Sequence, residues 1–361
     1  MKIAIIGTVG LPAKYGGWET LTEHLTSHLS GEFDITVFCS AKKYADKPEH
    51  YNGVKLRYIN LDANGVQSIP YDVLSIIQSL KFADTLLILG VSGCVFMPLI
   101  KLFTRKKIIV NIDGMEWRRE KWGRFAKWFL KLSEAMAVRY ADVTIADNKA
   151  IQDYIRAEYN MPSELIAYGA DQVTQVAISA EVLAQFPFLK NGYAFKVCRI
   201  EPENNVHLII EVFERHKKTD LVIVGNWSNS QYGKTLKAKY AGFAHIHLLD
   251  PIYDQHILNQ LRSNCRVYLH GHSAGGTNPS LVEAMYLGLP IVAYSVRYNQ
   301  ETTYGKARYF SDAGELLGVL DSIGADELDT IGRDMRRLAE QHYTWSDISR
   351  KYAQLFGPAA K

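Results

Sequence analysis

The groups best suited to chemistry lie in one stretch, His270 to Pro290, which reads H-G-H-S-A-G-G-T-N-P-S-L-V-E-A-M-Y-L-G-L-P. The apolar run Cys265 to Leu269 predicts a strand entering a loop of small residues. Pro279 then opens a helix, where its missing N–H would be unpaired in any case. The helix N-terminus therefore points back into the loop. Gly275 and Gly276 let the backbone approach a ligand, Thr277, Asn278 and Ser280 offer hydroxyl and amide groups, and the free N–H groups with the helix dipole favour an anion. Together they make a phosphate seat. Glu283, one turn into the helix, is placed to accept hydrogen bonds from two adjacent ribose hydroxyls. The same pattern also fits any α/β protein in which a glycine loop joins strand to helix and Glu283 is only a helix charge.

Two further places carry candidate groups. Lys14-Tyr15-Gly16-Gly17-Trp18-Glu19-Thr20 follows the first strand and leads into a helix. This is not the G-x-G-x-x-G dinucleotide fingerprint, which argues against a nicotinamide enzyme. Gly16 and Gly17 fit either an anion or sugar seat or a turn needed only for the bend. Asp113, at a strand end, and the nearby Glu116 are the candidate catalytic carboxylates, as a base or as stabilisers of positive charge on a sugar. For Asp113 the competing role is capping of a neighbouring backbone N–H. No acidic D-x-D pair lies on a strand end, so no metal and no other cofactor is expected.

Regular α/β elements must position these groups. Apolar runs at Ile3 to Ile6, Ile35 to Phe38, Leu56 to Ile59, Thr85 to Leu89, Ile108 to Ile112 and Val143 to Ile145 alternate with amphipathic helical segments. The pattern restarts at Ala194 to Ile200, Leu221 to Val224, Ile246 to Leu249, Arg266 to Leu269 and Ile291 to Tyr294. Such alternation predicts two doubly wound parallel sheets facing each other across a cleft. The 361 residues suit two domains. A net charge of +3 gives no support to nucleic-acid binding. Cys39, Cys94, Cys198 and Cys265 form no C-x-x-C pair, which fits a reducing compartment rather than a disulfide framework or zinc site. The opening M-K-I-A-I-I-G reads as a first strand rather than a signal peptide, and no stretch reaches a membrane span.

The segment from Lys101 to Lys131 is basic, with ten Lys and Arg residues against Asp113, Glu116 and Glu120. Trp117, Trp122, Phe125, Trp128 and Phe129 interleave with those charges, and Arg118, Arg119, Lys121, Arg124 and Lys127 follow a helical pattern. That is the composition of a helix lying on an anionic bilayer surface, or of a solvated basic helix with its aromatics in the core.

The chain resembles the GT-B glycosyltransferases of glycosyltransferase family 4, and within it the bacterial rhamnosyltransferase-like group that builds surface polysaccharides such as capsule and O-antigen. The matching stretches are K-Y-G-G-W-E-T from Lys14, N-I-D-G-M-E-W from Asn111, A-D-N-K-A-I from Ala146, R-I-E-P-E-N-N from Arg199, G-N-W-S-N-S-Q-Y-G from Gly225, L-D-P-I-Y-D from Leu249 and G-G-T-N-P-S-L-V-E-A-M from Gly275. The resemblance implies that Arg199 binds the donor diphosphate and Glu283 the donor ribose. It places Ile252 and Tyr253 at the nucleobase, and Gly16 and Gly17 beside the donor phosphate and acceptor. Three positions depart from the pattern. Gly275 stands where the first glutamate of the E-x7-E motif falls, Asn204 where a lysine shares the diphosphate with the arginine, and Asp113 where many relatives have a histidine. Lys234 and Lys196 are the cations available to replace the missing lysine.

The resemblance further implies a nucleotide diphosphate sugar, dTDP-rhamnose in the first instance, a lipid-linked oligosaccharide acceptor, and retention by front-face attack in which the leaving phosphate takes the acceptor proton. It implies an N-terminal acceptor-side domain at 1–170, a donor-binding domain at 171–343, and a last helix within 344–361 that packs back on the first. The expected location is the cytoplasm, peripheral on the inner face of the membrane. The competing functions are a nucleotide-sugar epimerase on the same fold and a non-enzymatic sugar-binding protein.

Overall fold

The computed structural model describes residues 1–14, 16–112, 114–119 and 122–357. The chain forms two compact units: Met1–Gly169 together with the segment from Trp345, and Ala170–Thr344.

The first unit holds an eight-stranded sheet made of β1 (Lys2–Ile6), β2 (Asp34–Ser40), β3 (His50–Tyr51), β4 (Val54–Ile59), β5 (Thr85–Leu89), β6 (Lys107–Asn111), β7 (Val143–Ala146) and β8 (Glu164–Leu165). Its order is β3-β4-β2-β1-β5-β6-β7-β8, parallel except for the β3–β4 hairpin. β5 is buried along its whole length and reads T-L-L-I-L, as a strand covered by helices on both faces should. The connecting helices are α1 (Gly17–Leu29), α2 (Ser68–Ser79), α3 (Met97–Phe103), α4 (Arg124–Tyr140) and α5 (Lys149–Tyr159). The predicted helical run through Arg118 and Arg119 is corrected here. Glu116–Arg118 is a short 3-10 turn, and α4 begins only after Gly123, whose extended backbone makes it the N-cap.

The C-terminal helix, Trp345–Phe356, packs on this unit. Trp345 stacks on His24 with ring centroids 4.4 Å apart, Tyr352 accepts a hydrogen bond from Asn111 at 3.0 Å, and the Phe356 carbonyl accepts one from Thr85 at 3.3 Å. A Cβ on Gly169 would lie 2.4 Å from the Trp345 indole, so the absence of a side chain there is what lets the helix seat.

The second unit holds six strands: β9 (Tyr193–Val197), β10 (Asp220–Val224), β11 (Ile246–Leu249), β12 (Val267–His270), β13 (Ile291–Tyr294) and β14 (Arg308–Phe310). They are all parallel, in the order β11-β10-β9-β12-β13-β14. Its helices are α6 (Ala180–Gln185), α7 (Val206–Arg215), α8 (Gln231–Tyr240), α9 (Gln255–Ser263), α10 (Pro279–Tyr286), α11 (Arg297–Thr302), α12 (Ala313–Ser322) and α13 (Ala325–His342). Strand order reverses between β9 and β12, which makes the carboxyl ends of these two neighbours the switch point at which such sheets take their ligands. Among the described residues no helix is long and apolar enough to cross a membrane.

Candidate active site

The loop after β9 and the loop after β12 meet at this switch point, and both carry residues singled out by the sequence. The Asn205 side chain donates to the Gly271 carbonyl at 2.9 Å. The Ser273 N–H and hydroxyl both donate to the Glu203 carbonyl, at 2.8 and 2.9 Å. Three hydrogen bonds thus stitch the loops together; Asn205 and Ser273 lie within the quoted motifs, but nothing in the sequence gave them this role.

Arg199 lies two residues beyond β9 and is exposed; Glu201 is 3.8 Å from its guanidinium. Asn204 is buried, and its amide donates to the Arg199 carbonyl at 2.7 Å. Asn204 therefore shapes the arginine's loop and supplies no charge. Gly275 has φ +117°, in the left-handed region where a glutamate would be strained, so this backbone disfavours the first E-x7-E carboxylate. Gly276 follows in the same turn, and Thr277 is buried. Asn278 caps α10 by accepting from the Ser280 N–H at 3.1 Å, and it also accepts from the Ser280 hydroxyl at 2.7 Å.

Glu283 sits in the second turn of α10 with both carboxylate oxygens engaged. Oε1 accepts from Gln172 at 2.7 Å, and Oε2 is bound by the Arg262 guanidinium. Arg262 is almost fully buried, and its other terminal nitrogen donates to Asn259 at 2.8 Å. The carboxylate is thereby fixed in orientation while a fifth of its side-chain surface remains open. Arg262 and Gln172 were not found by sequence reasoning. Ile252 and Tyr253 follow β11, with Tyr253 65% exposed. The buried Trp227 anchors the start of this segment by donating to the Leu249 carbonyl at 2.8 Å.

In the first unit, Gly16 caps α1 and Gly17 is its first residue. A Cβ on Gly16 would lie 2.0 Å from the Glu19 carboxylate, so the chain needs glycine there. Glu19 is buried and accepts from the Val9 N–H at 2.7 Å and the Thr8 hydroxyl at 3.1 Å, which ties the loop after β1 to α1. Burial raises its carboxyl above the usual range, and those hydrogen bonds pull it back. Asp113 lies outside the described residues. Glu116 is bound within its own turn, by Arg119 at 2.7 Å and by the Trp122 indole at 3.0 Å. Among the described residues no three His, Cys, Asp or Glu side chains gather as a metal site.

A separate surface of this unit combines apolar and basic groups. Phe96, Leu99, Leu102 and Phe103, on and just before α3, are 43–79% exposed, and Phe125 and Trp128 on α4 are 76% and 60% exposed. Several cations of the basic segment are paired: Lys101 with Asp142, Arg119 with Glu116 and Lys131 with Glu158. Arg105, Arg124 and Lys127 have no ion pair among the described residues. Lys121 lies outside them.

Residues 183–307 match the family of glycosyl transferases group 1, and residues 1–171 match a domain of unknown function, DUF1972. A comparison with curated proteins gave no match. Among solved structures, sucrose-phosphate synthase from Thermosynechococcus elongatus superimposes with a TM-score of 0.84 at 15% identity, over 98% of this chain and 98% of that one. Anabaena HepE in complex with UDP-glucose gives 0.75 at 17% identity, over 98% of each chain. The α,α-trehalose 6-phosphate synthase of Burkholderia multivorans gives 0.75 at 11% identity, over 98% of this chain and 96% of that one. The architecture is the GT-B fold, with two Rossmann-like domains, and the second unit carries a glycosyl transferases group 1 domain. Domain and fold are those of a glycosyltransferase.

Proposed function

We propose that the protein transfers a sugar from a nucleoside diphosphate donor, bound by the second unit, to an acceptor hydroxyl. The observation that carries this reading is the switch point, where the loop that bears Arg199 is hydrogen-bonded to the loop that runs into α10, the helix that carries a clamped Glu283. In the reaction the bond between the anomeric carbon and the phosphate oxygen breaks, and a bond from the acceptor oxygen to that carbon forms. The acceptor attacks from the face on which the diphosphate leaves, so the configuration is retained, and the leaving phosphate oxygen takes the acceptor proton, so no protein base is required. Arg199, the Gly275–Ser280 backbone and the α10 dipole stabilise the charge that develops on the diphosphate. Glu283 accepts from the ribose hydroxyls, and Ile252 and Tyr253 flank the base. Asp113, with Glu116 as the alternative carboxylate, stabilises positive charge on the sugar.

The finer reading follows the family 4 resemblance: dTDP-rhamnose as donor, a lipid-linked glycan as acceptor, and a place in surface polysaccharide synthesis. HepE and the trehalose-phosphate synthases share the fold, and the HepE structures hold UDP and UDP-glucose, which supports a nucleotide sugar as ligand. The exposed apolar and basic surface of α3 and α4 supports docking on the inner face of an anionic membrane, where such an acceptor resides. Transfer proceeds without a metal, as the lack of an acidic D-x-D pair suggests. The test is incubation with dTDP-rhamnose, UDP-glucose and GDP-mannose, with and without a lipid-linked acceptor and in the presence of EDTA. Acceptor-dependent sugar transfer that survives EDTA is expected. Conversion of a donor without any acceptor would identify an epimerase, and loss of activity restored by magnesium would overturn metal independence.

A further inference from the structure

Lys196 is the one residue of β9 that breaks its apolar run, and it is completely buried. Its side-chain nitrogen has no hydrogen-bond partner among the described residues. A buried, unpaired amine is costly, and proteins keep one where an anion, whose arrival would favour its charged form, or a reaction makes use of it. The amine reaches the switch point: it lies 3.2 Å from where a Cβ of Gly271 would stand, at the head of the loop that runs into α10. The Asn204 carbonyl is 2.4 Å from that same position, so both loops close over the amine and residue 271 has no room for a side chain. His270, the last residue of β12, is also completely buried, and both its ring nitrogens lack a partner among the described residues. Burial lowers the pKa of Lys196, and for His270 burial and the neighbouring Lys196 lower it well below the ordinary histidine value. The imidazole is therefore neutral, and it leaves Lys196 as the buried basic centre under the loop.

We propose that Lys196 is the second cation of the diphosphate seat, acting on the donor phosphates from the buried side of the Gly271–Asn278 loop while Arg199 acts from the solvent side. This inference rests on the donor-binding reading above. It explains how the site tolerates Asn204 where relatives carry a lysine: the charge has moved from the loop to the strand beneath it. Electrostatic attraction is strongest where water is excluded, so a buried amine contributes without touching the ligand directly.

The test measures binding of UDP, dTDP, GDP and inorganic pyrophosphate by calorimetry, together with the melting temperature of the free protein, for wild type, Lys196→Met and Lys196→Arg. Methionine preserves the length of the side chain and removes the charge. Lys196→Met should weaken diphosphate binding roughly ten- to a hundredfold. It should leave the free protein as stable as wild type or more so, because an unpaired buried amine has been replaced by an apolar group. Lys196→Arg should retain most of the affinity. Unchanged affinity in Lys196→Met would overturn the proposal, whatever its stability, and so would equal loss in Lys196→Arg if that variant melts like wild type. If Lys196→Met does not fold, Lys196→Gln makes the same comparison with a neutral polar group. Wild type that binds none of the four ligands would instead refute the donor-binding reading itself.

Discussion

Replacing Arg262 by methionine tests whether Glu283 is held in place by a buried charge. Arg262 is 1% exposed and is the ion-pair partner of Glu283, while Gln172 and Asn259 complete the cluster. Removing one member of a buried ion pair strands the other and costs about 3–5 kcal/mol. Glu283 is 19% exposed on its side chain and keeps its bond from Gln172, which puts this case at about 3 kcal/mol. The lost partner of Asn259 adds about 1 kcal/mol. For a unit of this size, about 4 kcal/mol corresponds to a fall in melting temperature of roughly 8–16 °C. Donor affinity should fall by about tenfold or more, since the carboxylate loses the group that orients it. Thermal melts and donor titration of Arg262→Met measure both effects. Adding Glu283→Gln to Arg262→Met removes the stranded charge and should recover about half of the lost stability. An Arg262→Met protein that melts within about 2 °C of wild type would refute the clamp.

Other perturbations probe the first unit. Asp72 is fully buried between α2 and the Gly93 turn, and desolvation pushes its carboxyl up to about 8, against the Gly93 N–H that donates to it at 3.2 Å. The folded state then holds this proton more tightly than the unfolded chain, so its contribution to stability falls as pH rises from about 4 to about 8 and is flat above. Asp72→Asn should flatten that part of the curve, melting above wild type at about pH 9 and close to it at about pH 4; parallel curves for the two proteins would contradict the assignment. Leu102 and Phe103 are 78% and 79% exposed, so Leu102→Asp with Phe103→Asp should leave the melting temperature unchanged. The double variant should reduce co-sedimentation with anionic vesicles at least tenfold, because each apolar side chain contributes about 1.5–3 kcal/mol when buried in lipid. Wild type that stays in the supernatant at low salt would remove the membrane from the account.

The two sheets were legible because parallel strands covered on both faces are apolar throughout, as at Leu86–Leu89 and Leu221–Val224, and because turns separate them at regular intervals. Three short strands escaped that pattern, among them the two-residue β8. β14 has only three residues, and β3 has two, although Asn52-Gly53, with φ of 45° and 83°, is a hairpin signal written in the sequence. The basic aromatic segment was read as helix too early because charge spacing carries no information about where a helix starts. Gly123 marks that start. In the site, the loop into α10 was legible from Pro279, Asn278 and the glycines, since local chemistry alone builds a capped helix start. Gln172 and Arg262 were not, because they reach Glu283 from 111 and 21 residues away and follow no local pattern. Lys196 stood out only as a lysine near the right place; that its amine is buried and unpaired is a property of the folded sheet.

The central claim, that the second unit binds a nucleoside diphosphate sugar through Arg199 and Glu283, is tested most directly by calorimetric titration of wild type, Arg199→Ala and Glu283→Ala with UDP, dTDP and GDP. Wild type should bind at least one of them, and each variant should lose about 1.5–3 kcal/mol, roughly ten- to a hundredfold in affinity. Equal affinity in all three proteins for a nucleotide that wild type binds would contradict the assignment.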